Sequence, residues 1–349
     1  MTAVGTALVD IDEIRDAARR IAGVVVRTPL LASPWPGLWL KPEMLQPIDA
    51  FKIRGAMTAM SRLSPQMRAR GVLAHSSGNH AQAVAYAARA FGVPAHIVIP
   101  DNAPARKVEA TRALGATVEL VSVEQRFSRP AELAALTGKA MIAPYDDRNV
   151  IAGQGTIGLE IAEDLELMAV GMAGGLAGGV AGGLAGGMAG GLFSTVLVPV
   201  SGGGLISGVA AALAALAPEV KVIGVEPALA GDAADSFSAD ERRAWLPADT
   251  ARTIADGLRT ISVGELPWQH IRAQVHDIIT VTEDEILDAT RRLALEARLV
   301  AEPSGAVATA GFLHHRSQMP AGNAVAIVSG GNIDPEIFRM TLEGSSVRD

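Results

Sequence analysis

Lys52 stands between apolar Phe51 and Ile53 in the run F-K-I-R-G-A. A lysine held in apolar surroundings near other cations gives up its proton more easily, and the free amine can then act as nucleophile or base. The same pattern also fits a solvated lysine at a helix start. Downstream, S-S-G-N-H-A-Q-A (Ser76 to Ala83) follows the apolar run Gly71–His75. A strand, a tight glycine turn and a helix N-terminus gather backbone N–H groups around an anion, and Ser76, Ser77, Asn79 and His80 add side-chain donors. A substrate carboxylate fits there; a simple N-cap is the plainer alternative.

P-V-S-G-G-G-L-I-S-G (Pro199 to Gly208) is the most specific single signal. Three consecutive glycines after the strand Thr195–Val200, leading into an Ala-rich helix expected over Val209 to Leu216, let backbone wrap a phosphate. It lacks the lysine of a triphosphate-binding loop. G-Q-G-T-I-G (Gly153 to Gly158) matches the dinucleotide fingerprint only formally. The preceding P-Y-D-D-R-N-V makes no buried strand, and the acid expected about twenty residues on is missing. Ser329, in A-I-V-S-G-G-N, falls at the C-terminal end of a strand, where α/β sheets present ligand contacts. Glu226 and Asp232, with the Ala230 carbonyl between them, offer the all-oxygen ligation that a hard cation such as Mg²⁺ or Ca²⁺ prefers. Two solvated acids near a turn would look the same.

The elements that must position these residues are legible as alternating short apolar runs and longer helical patterns. Asp10 to Ala22 reads as an amphipathic helix with Ile11, Ile14, Ala18 and Ile21 on one face. Strands are expected at Trp39–Leu40, Gly71–His75, Ala95–Ile99, Thr117–Leu120, Thr195–Val200, Lys221–Val225, Asp277–Val281 and Asn323–Val328. Several are continuous Val/Ile/Leu runs, as in parallel sheets covered on both faces. The fold class is therefore α/β, with two sheets. From Ala173 to Leu192 the tetrapeptide A-G-G-x repeats, and no charge appears between Glu166 and Glu219. We read it as a flexible Gly-rich insertion before the next strand, although its small-residue spacing imitates a membrane-helix interface.

The 349 residues, nearly half of them apolar, suffice for one large domain or two moderate ones. A net charge of −7 argues against nucleic acid or an anionic membrane as partner. The absence of cysteine excludes disulfides, thiolate metal sites and cysteine nucleophiles. No signal peptide is apparent, so the cytoplasm is the default location.

Taken in order, R-T-P-L at Arg27, F-K-I-R-G-A, S-S-G-N-H, A-P-A-R-K at Ala103, A-G-Q-G-T-I-G-L-E, S-G-G-G-L, T-I-A-D-G at Thr253, V-T-E-D-E-I at Val281, A-E-P-S-G-A at Ala301 and V-S-G-G-N span nearly the whole chain. Together they resemble the serine/threonine dehydratase family of fold-type-II pyridoxal-phosphate enzymes, which includes serine racemase. The resemblance implies two α/β domains of the tryptophan synthase β type. Residues 1–71 and 149–349 would form the large one, and 72–148 the small one. It implies pyridoxal 5'-phosphate as cofactor, Lys52 as its Schiff-base lysine, and Phe51 against its ring. Asn79 would bond the phenolic oxygen, the backbone of Ser201, Gly202, Gly203, Gly204 and Leu205 would cradle the phosphate, and Ser329 would face the pyridine nitrogen. Ser76, Ser77 and His80 would line the substrate side, with Ser77 as the acid/base on the face opposite Lys52. Glu226, Ala230 and Asp232 match a divalent-cation site, and Gly153 to Thr156 an active-site loop. The implied reaction is elimination of water and ammonia from a small-molecule substrate such as L-threonine or L-serine, by a homodimer or homotetramer. A racemase on the same scaffold, a non-catalytic cofactor or amino-acid binding protein, and a membrane-associated role are the alternatives. Asp49 and Ala50 depart from the family, which usually has Gly-Ser or Gly-Ala there.

Overall fold

A computed structural model describes residues 7–76, 78–103, 105–126, 128–174 and 193–344. Ser77 and most of the A-G-G-x repeat lie outside the described residues. The strands are β1 (Leu31–Ala32), β2 (Leu38–Pro42), β3 (Val72–His75), β4 (Ala95–Pro100), β5 (Thr117–Val121), β6 (Ala140–Met141), β7 (Phe193–Pro199), β8 (Lys221–Pro227), β9 (Asp277–Val281) and β10 (Asn323–Val328). The apolar runs of the sequence account for all but β1 and β6, which at two residues each carry no periodicity to read.

Two sheets result, ordered β1-β2-β10-β7-β8-β9 and β5-β4-β3-β6. Among the described strands only the β1–β2 pairing is antiparallel. In the larger sheet, alternate residues of one strand serve two apolar layers. Leu197 of β7 packs with the helix Pro303–His315, while Val196 and Val198 pack with the helix Gly204–Leu216. Covering on both faces explains why β7, β8 and β10 read as unbroken apolar runs. In the smaller sheet, Val72 and Ala74 share a core with Ile53, Ala56, Met57 and Met60 of the helix Lys52–Arg62. Leu73 and Val98 face Leu133 of the helix Ser128–Thr137 on the other side. The helix that opens at Lys52 thus belongs to the core of the smaller sheet, although the strand before it, β2, belongs to the larger.

The helix Ile11–Ile21 is started by Asp10 in a capping box with Glu13, and it buries Ile14, Ala17 and Ile21. Asp147 Oδ1 accepts from the Asn149 and Val150 amides at 2.8 and 3.0 Å and so starts the helix Arg148–Gly174. G-Q-G-T-I-G lies inside this helix. It is therefore not the active-site loop that the resemblance implied, and not a dinucleotide turn either, because that turn must separate a strand from a helix. Its glycines serve packing. A Cβ on Gly153 would lie 2.6 Å from the Arg54 carbonyl oxygen and 2.7 Å from the Gly55 Cα. A Cβ on Gly208 would lie 2.4 Å from both the Gly155 nitrogen and the Ile151 oxygen. One face of the long helix therefore crosses the Lys52 helix, and another crosses the helix that follows the triple glycine. That following helix begins at Gly204, five residues before the expected start, because the glycine loop itself supplies its first turn. Among the described residues no helix is long and apolar enough to cross a membrane.

Replacing Gly208 by Ala tests the crossing. Helix propensity alone would favour Ala by about 1 kcal/mol. Overpacking against backbone that cannot yield costs about 1–3 kcal/mol. Thermal or denaturant unfolding should show Gly208→Ala to be net destabilised; a gain in stability would mean that the helices do not approach this closely.

Candidate active site

The turn before Lys52 is sewn to the loop after β10. The Phe51 amide donates to the Ser329 carbonyl at 3.0 Å, Ala50 bridges Gly330, and the Gly331 amide donates to the Asp49 carbonyl at 2.8 Å. Asp49 takes φ of 55°, in the left-handed region that glycine enters most easily and aspartate tolerates. That is the position where the resembling family carries glycine. Lys52 is the first helical residue, and its Nζ donates to the Pro144 carbonyl at 2.8 Å and sits 5.1 Å from the Phe51 ring centre. Burial lowers its pKa to about 8, so near neutral pH a usable fraction is free amine.

Two residues on, Arg54 anchors the same helix. It is fully buried and donates to Glu43 through Nε at 2.7 Å and Nη2 at 2.8 Å, and to Glu160 through Nη1 at 2.6 Å and Nη2 at 3.0 Å. Lys41 Nζ completes the cluster on Glu160 at 2.7 Å, and Thr28 Oγ1 donates to Glu43 at 2.7 Å. Burial alone would lower the Arg54 pKa; Glu43 and Glu160 outweigh it and hold it above its ordinary value. Burial likewise pushes Glu43 up, and Arg54 overrides that push and leaves it low. The cluster ties β2, the Lys52 helix and the helix Arg148–Gly174 into one body.

Across the cleft, β7 runs into Ser201–Gly204. Gly203 has φ of +86°, and no side chain caps the helix that follows, so its first amides remain open to an anion. Gly202 lies under Tyr145: a Cβ there would be 2.2 Å from the ring. Ser201 Oγ and Thr260 Oγ1 are 2.9 Å apart, and the Gly264 amide donates to the Gly202 carbonyl at 3.0 Å. Asp146 fixes this side as well, accepting from the Glu265 and Leu266 amides at 2.9 and 3.1 Å. Leu205 is buried one position into the helix. A phosphate-sized anion finds here backbone donors and the positive end of a helix, while the glycines make room for Tyr145 and Pro267 packed against them.

Asn79 opens the helix Asn79–Phe91. Its Nδ2 donates to Glu302 Oε1 at 2.6 Å, and its Oδ1 accepts from Asn332 Nδ2 at 2.8 Å. Ser76 Oγ accepts from the Gly78 amide at 3.2 Å. His80 is buried, with Nε2 2.9 Å from the Ile142 carbonyl oxygen; burial and then Lys52 lower its pKa to about 3, so the ring is neutral and donates there. Ser329 is buried just past β10. Glu302 was not among the residues singled out from the sequence, although its motif A-E-P-S-G-A was. A glutamate before a proline-started helix looks like an N-terminal acid, and only the structure turns it toward Asn79. Lys107 pairs with Asp256 and joins the smaller sheet's side of the cleft to the larger's.

Glu226 and Asp232 lie close together near the end of β8, and Ala230 is buried between them in sequence. Both acids are fully buried; Glu226 Oε2 accepts from the Ala234 amide at 2.9 Å. Glu226 Oε1 and both Asp232 oxygens have no partner. Burial lifts Asp232 to about 7, with Asp235 adding to it, and burial and then Asp232 hold Glu226 well above the ordinary carboxylate range. Among the described residues no three His, Asp or Glu side chains cluster as a metal site, so any further ligand must be a carbonyl or water.

Comparison with known proteins decides what kind of site this is. Residues 21–330 match the family described as pyridoxal-phosphate dependent enzyme. The chain belongs to that family. It is 37% identical over 340 residues to the L-threo-3-hydroxyaspartate ammonia-lyase of Saccharomyces cerevisiae, covering 95% of this chain and 96% of the relative. It is 38% identical to the L-threonine ammonia-lyase of Thermotoga maritima, covering 98% and 80%. The solved structure of maize serine racemase superimposes with a TM-score of 0.83 at 37% identity, covering 97% and 98%. The fold is accordingly that of the fold-type-II members, and the chain is a pyridoxal-phosphate enzyme of their lyase and racemase group. The open helix N-terminus over the triple glycine and the desolvated Lys52 fit that cofactor.

The Arg54 cluster generates a quantitative expectation. Arg54→Met leaves Glu43 buried without its partner and should cost about 3–5 kcal/mol of unfolding free energy. Glu43→Gln, which keeps the shape, should cost distinctly less. Denaturant unfolding measures both; equal and small effects would show that the cluster does not hold the Lys52 helix.

Proposed function

We propose that the protein eliminates water and ammonia from a β-hydroxy amino acid, with L-threonine or L-serine as substrate, and releases a 2-oxo acid. The observation that carries this reading is the half-buried Lys52, whose Nζ donates to the Pro144 carbonyl directly before Tyr145, the residue packed on Gly202 and Gly204 at an uncapped helix N-terminus. Similarity to two ammonia-lyases supports it.

When bound, pyridoxal phosphate supplies the electron sink for a carbanion at the substrate Cα. The chain's own residues do the rest. The amides of Ser201 to Leu205 would hold the phosphate, Asn79 the phenolic oxygen, and Phe51 and the neutral Ser329 the ring and its nitrogen. Lys52 would anchor the cofactor and, as a free amine, would take the proton from the substrate Cα. The β-hydroxyl departs as water, and a water consumed in the final hydrolysis releases ammonia, so the net change is deamination. Ser76 and His80 flank the substrate side. A racemase that uses Lys52 and Ser77 as its two acid/base groups is the second reading, and similarity to serine racemases supports it. Segment 72–148 as a small domain, a homodimer or homotetramer, and a cytoplasmic setting complete the proposal.

A panel of L-threonine, L-serine, D-serine and L-threo-3-hydroxyaspartate, assayed for 2-oxo acid, ammonia and inversion, tests the reaction. Elimination should dominate with L-threonine or L-serine, and Lys52→Ala should abolish it. Inversion faster than elimination would favour the racemase, and turnover retained in Lys52→Ala would remove Lys52 as the base.

We also place Mg²⁺ or Ca²⁺ at Glu226, the Ala230 carbonyl and Asp232, because three buried carboxylate oxygens lack partners there. Both carboxyls have raised pKa values, so the folded chain keeps protons that the unfolded chain has released, and stability is lost as pH rises from the ordinary carboxylate range through about 7. A cation offsets that cost only when the pair is ionised. Its effect on melting temperature should be largest above pH 7 and fade as pH drops below it, and Asp232→Asn should abolish it. A shift independent of pH, or none, would remove the cation.

A further inference from the structure

Asn79 and Glu302 come from opposite sides of the cleft. Asn79 starts a helix packed on the smaller sheet, and Glu302 directly precedes the helix Pro303–His315 of the larger. The Glu302 backbone amide donates to the Gly330 carbonyl at 3.0 Å, which fixes its place beside the loop that meets Ala50. Its carboxylate accepts from Asn79 Nδ2 at 2.6 Å. Asn332 Nδ2 donates both to Asn79 Oδ1 at 2.8 Å and to the Ile48 carbonyl at 2.9 Å. A Cβ on Gly330 would stand 2.4 Å from Glu302 Oε1 and 3.2 Å from Asn79 Nδ2, so the contact exists because that position is glycine.

The two ends of an asparagine amide are not equivalent. Oδ1 only accepts and Nδ2 only donates, and an ionised carboxylate only accepts. Turned over, the Asn79 amide would set oxygen against the Glu302 carboxylate and N–H against the N–H of Asn332. One orientation survives, and in it one Nδ2 hydrogen is not committed to Glu302.

We propose that Glu302 is a positioning residue for the cofactor: its carboxylate fixes the Asn79 amide so that the remaining N–H is presented to the cofactor's phenolic oxygen. This rests on the role given to Asn79 above. The groups facing Glu302 are Asn79 on its helix, Asp256 with its partner Lys107, and Asp49 in the turn before Lys52. Burial, and then Asp256, raise the carboxyl to about 7; the Asn79 bond and Lys107 act the other way. Protonation leaves an acceptor oxygen but removes the charge that strengthens the bond, so the hold on Asn79 slackens below that pH.

The test is titration of apoprotein with pyridoxal phosphate, followed by absorbance, in wild type, Glu302→Ala, Glu302→Gln, Asn79→Ala and the Glu302→Ala/Asn79→Ala double variant. Each alanine variant should weaken affinity about tenfold, the effect of one hydrogen bond to a charged or buried partner. The double variant should be no weaker than the singles, because both remove the same link. Glu302→Gln should recover most of the affinity, and the bound cofactor's absorbance, which should titrate near pH 7 in wild type, should lose that titration. Wild-type affinity in Glu302→Ala, or additive losses, would overturn the proposal. If Glu302→Ala does not fold, Glu302→Gln decides alone: an unchanged spectral titration overturns it. Failure of the underlying reading looks different, since wild type itself would then show no saturable absorbance band dependent on Lys52.

Discussion

The structure depends on how closely three helices approach one another. The helix Arg148–Gly174 touches the Lys52 helix where Gly153 meets Gly55, and touches the cradle helix where Gly155 meets Gly208. Residues without side chains let backbone meet backbone, so the separation between Lys52 and the anion cradle is set by covalent geometry rather than by rotamers. Close approach alone would permit sliding. The Arg54 guanidinium prevents it by binding Glu43 on one element and Glu160 on another, in a cluster with almost no access to water. Such a cluster adds little net stability, since desolvation opposes the Coulomb gain, but breaking it is costly. Its effect is to select one arrangement of the helices.

Within that frame, loss of water does the chemical tuning. The same physical cause acts on three groups in opposite senses. Burial lowers Lys52 toward a free amine, keeps His80 neutral, and raises Glu302 until it titrates near neutrality. The site therefore holds an amine inclined to lose its proton, an uncharged imidazole, and a carboxylate joined to an amide on the other side. The Lys107–Asp256 pair and the Asn79–Glu302 bond both cross from one sheet's side to the other's. Any opening of the cleft must break them together.

Much of this was legible in the sequence because it follows from local rules. Unbroken runs such as Thr195–Val200 and Asn323–Val328 announced parallel strands, and S-G-G-G after a strand announced an anion cradle. The two-residue strands β1 and β6 left no pattern, since their pairing is set by their neighbours. G-Q-G-T-I-G misled in one respect: glycines spaced for a turn and glycines spaced for helix crossing look alike until the partners, Gly55 and Gly208, are seen. Asp49 read only as a departure from the family's glycine, whereas its backbone angle shows the conformational demand that glycine meets elsewhere. Glu302 and Tyr145 were missed because their roles are defined by contacts with Asn79 and Gly202, both far away in sequence.

The central claim is that Lys52, and no other lysine, carries the cofactor. Holoenzyme reduced with borohydride traps a cofactor bound through a lysine imine, and peptide mapping by mass spectrometry locates it. The account predicts the reduced pyridoxyl mass on the peptide containing Lys52, with Lys41, Lys107, Lys139 and Lys221 unmodified. Stoichiometric label on any of those four, or holoenzyme that takes up no label at all, would contradict it.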